Sequence, residues 1–158
     1  MEQGYIQMLE ESLEKKVDIL NQLQILCREQ AVILQDDDAS PDMLEENMDK
    51  KQALLDHIET LDKGFEEVFA KVSEELNNNK QLYAKNIAHM QELIKKITDK
   101  SVNIQALEQR NKELARDRFQ GVKAKAKEIR QSNKAATTYY RNMMNLANVD
   151  PQFLDRKK

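Results

Sequence analysis

IQMLEESLEKKVDILNQLQILCREQAVIL, residues 6–34, places apolar side chains at Ile6, Leu9, Leu13, Val17, Leu20, Leu23, Cys27, Ala31 and Leu34, in steps of three or four. That period is one face of an α-helix about eight turns long, and no strand alternation competes with it. Asp36-Asp37-Asp38-Ala39 carries no apolar stripe. It leads to Ser40-Pro41-Asp42, where Ser is a capping residue, Pro suits the first helical position and Asp suits the positive end of the helix dipole. A second stripe follows through Leu44, Met48, Leu55, Ile58, Phe65, Phe69, Val72 and Leu76. Leu54, Leu61 and Val68 widen it on one side, and the width predicts contact with two neighbours.

Asn77-Asn78-Asn79 predicts the next turn, because asparagines are poor in helix interiors and tolerate left-handed geometry. A third stripe runs from Tyr83 through Ile87, Met90, Ile94, Ile97, Ile104, Leu107 and Leu114 to Phe119, Val122, Ala126 and Ile129, shifting register near Leu107 as a coiled-coil stutter does. Gly121 is the one interruption before Asn148, so one long helix and two shorter ones both fit. Lys16 and Lys51 occupy stripe positions where Leu is expected, which suits a bundle better than a tight two-stranded zipper.

Composition agrees with this reading. The 158 residues include three Gly, two Pro and no Trp, with 40% hydrophobic and 34% charged residues, so little breaks a helix and little builds a strand. The expected fold is all-α: an elongated, coiled-coil-like antiparallel bundle of three to four long helices. Helices are expected at about 3–35, 41–76 and 80–118. Residues 1–118 form the scaffold, and 119–158 form a C-terminal helix and tail that either continue the third helix or follow a break.

The two parts differ in charge. Residues 1–109 hold 12 basic and 23 acidic residues, net −11, whereas 110–158 hold 13 basic and 5 acidic, net +8. The basic run from Arg110 to Arg141 could neutralise phosphates, but the whole chain is acidic and few aromatics accompany the run. A solvated helix, or one docked on the acidic first part, is the better reading than a nucleic-acid site. No apolar run reaches the length needed to cross a bilayer, and the first residues lack a signal-peptide pattern. A cytoplasmic chain without membrane insertion is expected, as a monomer or weak homodimer. The lone Cys27 fits a reducing compartment.

Catalytic chemistry finds little footing. His57 and His89 stand apart from any second ligand, Cys27 lies on an apolar stripe, and Asp36-Asp37-Asp38 lacks the spacing and central Gly of a calcium loop. Neither a phosphate-binding loop nor a nucleophile elbow occurs. No enzyme activity, no cofactor and no metal site is expected. The distinctive constellation is Tyr139, Tyr140, Met143, Met144 and Leu146, a flexible and amphipathic cluster that either binds a partner helix or closes one end of the bundle.

Several features resemble the FlgN family of flagellar type III export chaperones. They are the Leu/Glu/Lys helix from Tyr5 to Leu34, the acidic turn, Lys50-Lys51-Gln52-Ala53-Leu54-Leu55-Asp56 in the second helix, Tyr139-Tyr140, and the final Phe153-Leu154-Asp155-Arg156-Lys157-Lys158. The resemblance implies a cytosolic chaperone that binds the C-terminal helices of hook–filament junction proteins, prevents their premature assembly and delivers them to the export gate. By position it implies client contact at Phe119, Val122, Ile129, Met143, Met144 and Leu146, and gate docking at Tyr139 or Tyr140. The rival readings are a coiled-coil tether without a client and a nucleic-acid-associated protein using residues 110–141.

Overall fold

The computed structural model describes residues 2–128 and 141–143, with side chains over 3–125 and 141–143. Three helices make up the first span: α1 (Glu2–Gln35), α2 (Pro41–Asn78) and α3 (Ala84–Glu128). No strand occurs among the described residues. The all-α bundle is therefore the observed architecture. α3 passes through Gly121 unbroken to Glu128, and whether one helix or two make up the rest lies outside the described residues.

Both turns close differently from the sequence expectation. Pro41 does sit in the first turn of α2 and Ser40 is extended, but the Ser40 side chain makes no capping bond. Its carbonyl instead accepts from the Met43 N–H at 3.1 Å. The preceding Asp36 organises the turn by accepting the Asp38 N–H on Oδ1 at 2.9 Å and the Ala39 N–H on its carbonyl at 3.1 Å. After α2, Asn79 has φ −129° and none of the described residues has a positive φ, so the asparagines need no left-handed geometry. Asn79 works as a donor: its N–H and its Nδ2 both reach the Glu75 carbonyl at 3.1 Å, and Nδ2 also reaches Glu75 Oε1 at 2.9 Å.

Cross-helix pairs fix the topology. Lys16 meets Asp62 at 2.7 Å and Lys51 meets Gln30 at 3.0 Å, which makes α2 antiparallel to α1. Asn86 bonds Glu10, Asn103 accepts from Gln24 at 2.8 Å, and Arg118 reaches Asp37 at 3.1 Å, which makes α3 parallel to α1. α1 packs closely along both neighbours, whereas α2 and α3 meet mainly through side chains. The shared helix is α1, and α2 turns part of its wide stripe toward the outer α1–α2 groove, where Leu54 lies.

Three apolar clusters run down the bundle. The first gathers Ile6, Leu9, Leu13, Val72, Leu76, Tyr83, Met90 and Leu93, and the second Leu20, Leu23, Cys27, Leu55, Ile58 and Ile104. Before the third comes a layer of buried polar groups: Gln30, Asn47, Lys51, Glu108 and Asn111 are each at most 7% exposed. Lys51 ion-pairs with Glu108 and donates to Gln30 Oε1 at 3.0 Å. Asn111 Nδ2 donates to the same Gln30 oxygen at 3.0 Å and to the Cys27 carbonyl at 2.9 Å, and Asn47 Nδ2 donates to the Leu26 carbonyl at 3.0 Å. The stripe positions taken by Lys51 and Glu108 are thus filled by a hydrogen-bonded pair joining α2 to α3 through α1.

Removing one member strands the other charge in the core. Lys51→Met is expected to destabilise the bundle by about 3–5 kcal/mol, and Lys51→Met with Glu108→Leu to recover most of that loss. Urea unfolding followed by helical circular dichroism measures both; equal losses in the single and double variants would contradict a coupled pair.

Candidate functional site

The third cluster lies at the end of the bundle where α1 gives way to α2. Leu34 closes α1 and Leu44 opens α2, and both are 3% exposed because the short turn folds them onto one another. α3 supplies Ala115, 1% exposed, whose small side chain lets another apolar group approach the helix. That group is Met143, at 0% exposure. Ile33, Met48, Leu114, Phe119 and Val122 pack around these four and remain partly exposed.

α3 is held at this end by charge. The Arg118 guanidinium reaches Asp37 Oδ1 at 3.1 Å through Nη1 and the Asp37 carbonyl at 3.2 Å through Nη2. The Arg118 side chain is 10% exposed although Asp37 lies out in the turn at 91%. Past this clamp, residues 119–128 continue the helix for about 15 Å at 1.5 Å per residue. Phe119 and Val122 face back onto the cluster across the first turn of that extension.

Of the residues expected to contact a client, Phe119, Val122 and Met143 therefore share one apolar cluster. Ile129, Met144 and Leu146, and the docking candidates Tyr139 and Tyr140, lie outside the described residues. Leu34, Leu44 and Ala115 complete the seat, and sequence reading left the first two in the scaffold stripes and did not single out the third. The available signal was their place beside the only strongly acidic turn, opposite the basic half of α3.

The family model described as FlgN protein matches residues 1–145, a span that takes in all three helices and Met143. The chain belongs to the FlgN family. No curated protein and no solved structure matches it. As a FlgN-family protein it is a flagellar export chaperone, and the family is one of chaperones, not of enzymes.

Two of the side chains with reactive chemistry, His89 and Cys27, have structural partners in this FlgN-family bundle. His89 pairs with Glu14 at 3.1 Å on the surface, and His57 is exposed. Among the described residues no three His, Cys, Asp or Glu side chains converge as a metal site, and no helix is long and apolar enough to cross a membrane. Cys27 is buried at the edge of the polar layer, where its thiol donates to Glu108 Oε1 at 3.0 Å. Burial pushes its pKa up to about 12 from 9.0; the Glu108 carboxylate adds to the rise and the Lys51 ammonium opposes it.

That shift sets a direction for stability. Between pH 9.0 and about 12 the unfolded thiol releases its proton while the folded thiol keeps it, so folding stability falls as pH rises through this window and is unaffected by Cys27 below it. Cys27→Ala should flatten the alkaline fall in urea midpoint relative to the parent chain. An identical alkaline slope in both would refute the assignment.

Proposed function

We propose that this chain binds the C-terminal helices of hook–filament junction proteins, keeps them from assembling prematurely and hands them to the export gate, working in the cytoplasm. The observation that carries the reading is the end cluster, in which Leu34, Leu44 and Ala115 enclose Met143 while Phe119 and Val122 stay partly exposed beside them. A seat that encloses one methionine suits the large flexible side chains of an amphipathic helix, which reads a groove through residues three and four apart. A client side chain that enters the seat would displace Met143, which then packs on the client helix. Competition makes client binding reversible, and reversibility is what delivery requires, since a helix held in a fully apolar core would not be released.

Client contact is assigned to Phe119, Val122, Ile129, Met143, Met144 and Leu146, and gate docking to Tyr139 or Tyr140, the last two on family resemblance alone. Covering the apolar face of a client helix is sufficient to block its polymerisation, and no covalent step is involved. The nucleic-acid reading loses ground because the Arg118 guanidinium in the middle of the basic run is committed to Asp37.

A peptide spanning the C-terminal helix of a hook–filament junction protein, titrated by calorimetry, tests the proposal. Phe119→Ala should weaken binding about tenfold, which corresponds to about 1.4 kcal/mol at a contact of this kind. Val122→Ala should act in the same direction, and a chain ending at Ser132 should bind more weakly because Met143, Met144 and Leu146 are gone. Unchanged affinity in all three variants would dismiss the end cluster as the client site.

A further inference from the structure

A second apolar surface lies on the other side of α1. Between α1 and α2, Ile25, Leu26, Ala53 and Leu54 line a groove of about 380 Å³ with Gln22 and Lys50 at its rim. Ile25 is 53% exposed, and helical spacing extends the apolar strip from it to Val32, one heptad further along α1 and 67% exposed. Along α2 the strip extends in the same direction from Lys50 to Met43, also one heptad away and 46% exposed. Both extensions lead to the end of the bundle where Met143 is seated beside Leu34 and Ile33. Ile25, Val32 and Met43 thus continue the groove as a half-exposed apolar strip.

We propose that the segment Phe153–Lys158 of this same chain docks there, placing Phe153 and Leu154 in the groove between Ile25 and Leu54 and its cations beside the acidic end of the bundle. Three observations select this occupant. The first is charge: residues 29–49 carry eight acidic side chains and no basic one, and the segment ends in Arg156-Lys157-Lys158. The second is reach. Ile25 lies nine residues from Leu34, about 13 Å along α1, and the ten residues from Met143 to Phe153 span about 15 Å if helical and about 33 Å if extended. The third is tethering. Met143 is already anchored at that end, so the segment meets the groove at an effective concentration on the order of millimolar, and a weak contact is enough to fill it.

Docking of this kind covers the apolar groove between α1 and α2 and neutralises part of the acidic turn region. It rests on Met143 holding its seat, and not on the identity of a client. Its strength depends on ionic strength, because the cations and the acidic residues meet at the surface.

The test is paramagnetic relaxation in the full chain, with a nitroxide on Asp155→Cys. Cys27 is buried with a strongly raised pKa, so the parent chain should take no label and serves as the control. Docking predicts that the amides of Ile25, Leu26, Ala53 and Leu54 lose most of their intensity while those of Leu82 and Val102, exposed apolar residues elsewhere, keep theirs. Adding Phe153→Ala and Leu154→Ala should restore the groove signals. Full groove intensity in the labelled chain overturns the proposal, as does loss that survives the two alanine substitutions. Equal loss when the labelled and the isotope-enriched chains are separate molecules overturns it in favour of a second copy as occupant.

Discussion

A lysine and a glutamate buried against each other, Lys51 on α2 and Glu108 on α3, set the terms for the rest of the bundle. Each lies at a position where an apolar residue would pack, and each would be costly alone in the core. Together they are tolerable only in one register, because Gln30 on α1 must accept from Lys51 while Asn111, one turn after Glu108, reaches the same Gln30 oxygen and the Cys27 carbonyl. Sliding α3 by a turn would strand both charges. An all-leucine seam between long helices has several registers of similar energy, and a polar layer removes that degeneracy at some cost in stability. α1 is the natural place for the layer to close, since it alone packs closely along both other helices.

The layer also separates two kinds of core. Toward the start of α1 the clusters are continuous and draw on all three helices. Beyond the layer the apolar end is small: Leu34, Leu44 and Ala115 leave a seat that a residue from outside the three helices, Met143, fills. A bundle whose helices simply matched in length would have closed this end with its own side chains. Here α3 overruns the α1–α2 turn and is held at the crossing by Arg118, so the overhanging turn with Phe119 and Val122 has an apolar face and only a partial neighbour. Length mismatch, fixed in place by register, is what leaves this apolar surface partly exposed at the end of the bundle.

Much of this was legible beforehand because helical periodicity and breakers are local signals. The stripe of α1 and the Asp36–Pro41 boundary follow from residue spacing alone, and the anomalous lysine at position 51 stood out against its stripe. What could not be read was which residues answer that lysine: Glu108 and Asn111 lie more than fifty positions away, and their stripe looked merely like a stutter near Leu107. Turn chemistry was legible in place but not in kind. Ser40 and the asparagines mark the right turns, yet Asp36 and the Asn79 donor groups do the bonding, because competition among nearby donors and acceptors is decided by geometry. At the site, Phe119 and Val122 were visible as apolar residues in a basic helix. Ala115 was not, since a small residue signals close approach only once its neighbour is known.

The polarity of the chain, acidic before residue 110 and basic after it, then takes on a structural meaning. Eight acidic side chains lie between residues 29 and 49, around the turn that joins α1 and α2, and no basic residue occurs among them to relieve the repulsion. The basic part of α3 is the nearest source of opposite charge, and a parallel α1–α3 arrangement brings it to that turn, where the nearly buried Arg118 donates to both the carboxylate and the carbonyl of Asp37. An antiparallel placement of α3 against α1 would have carried the cations to the opposite end and left the acidic turn unanswered. Charge therefore works with the buried Lys51–Glu108 pair, from the surface inward, to choose the same register. The apolar end with Met143 exists where the two constraints meet.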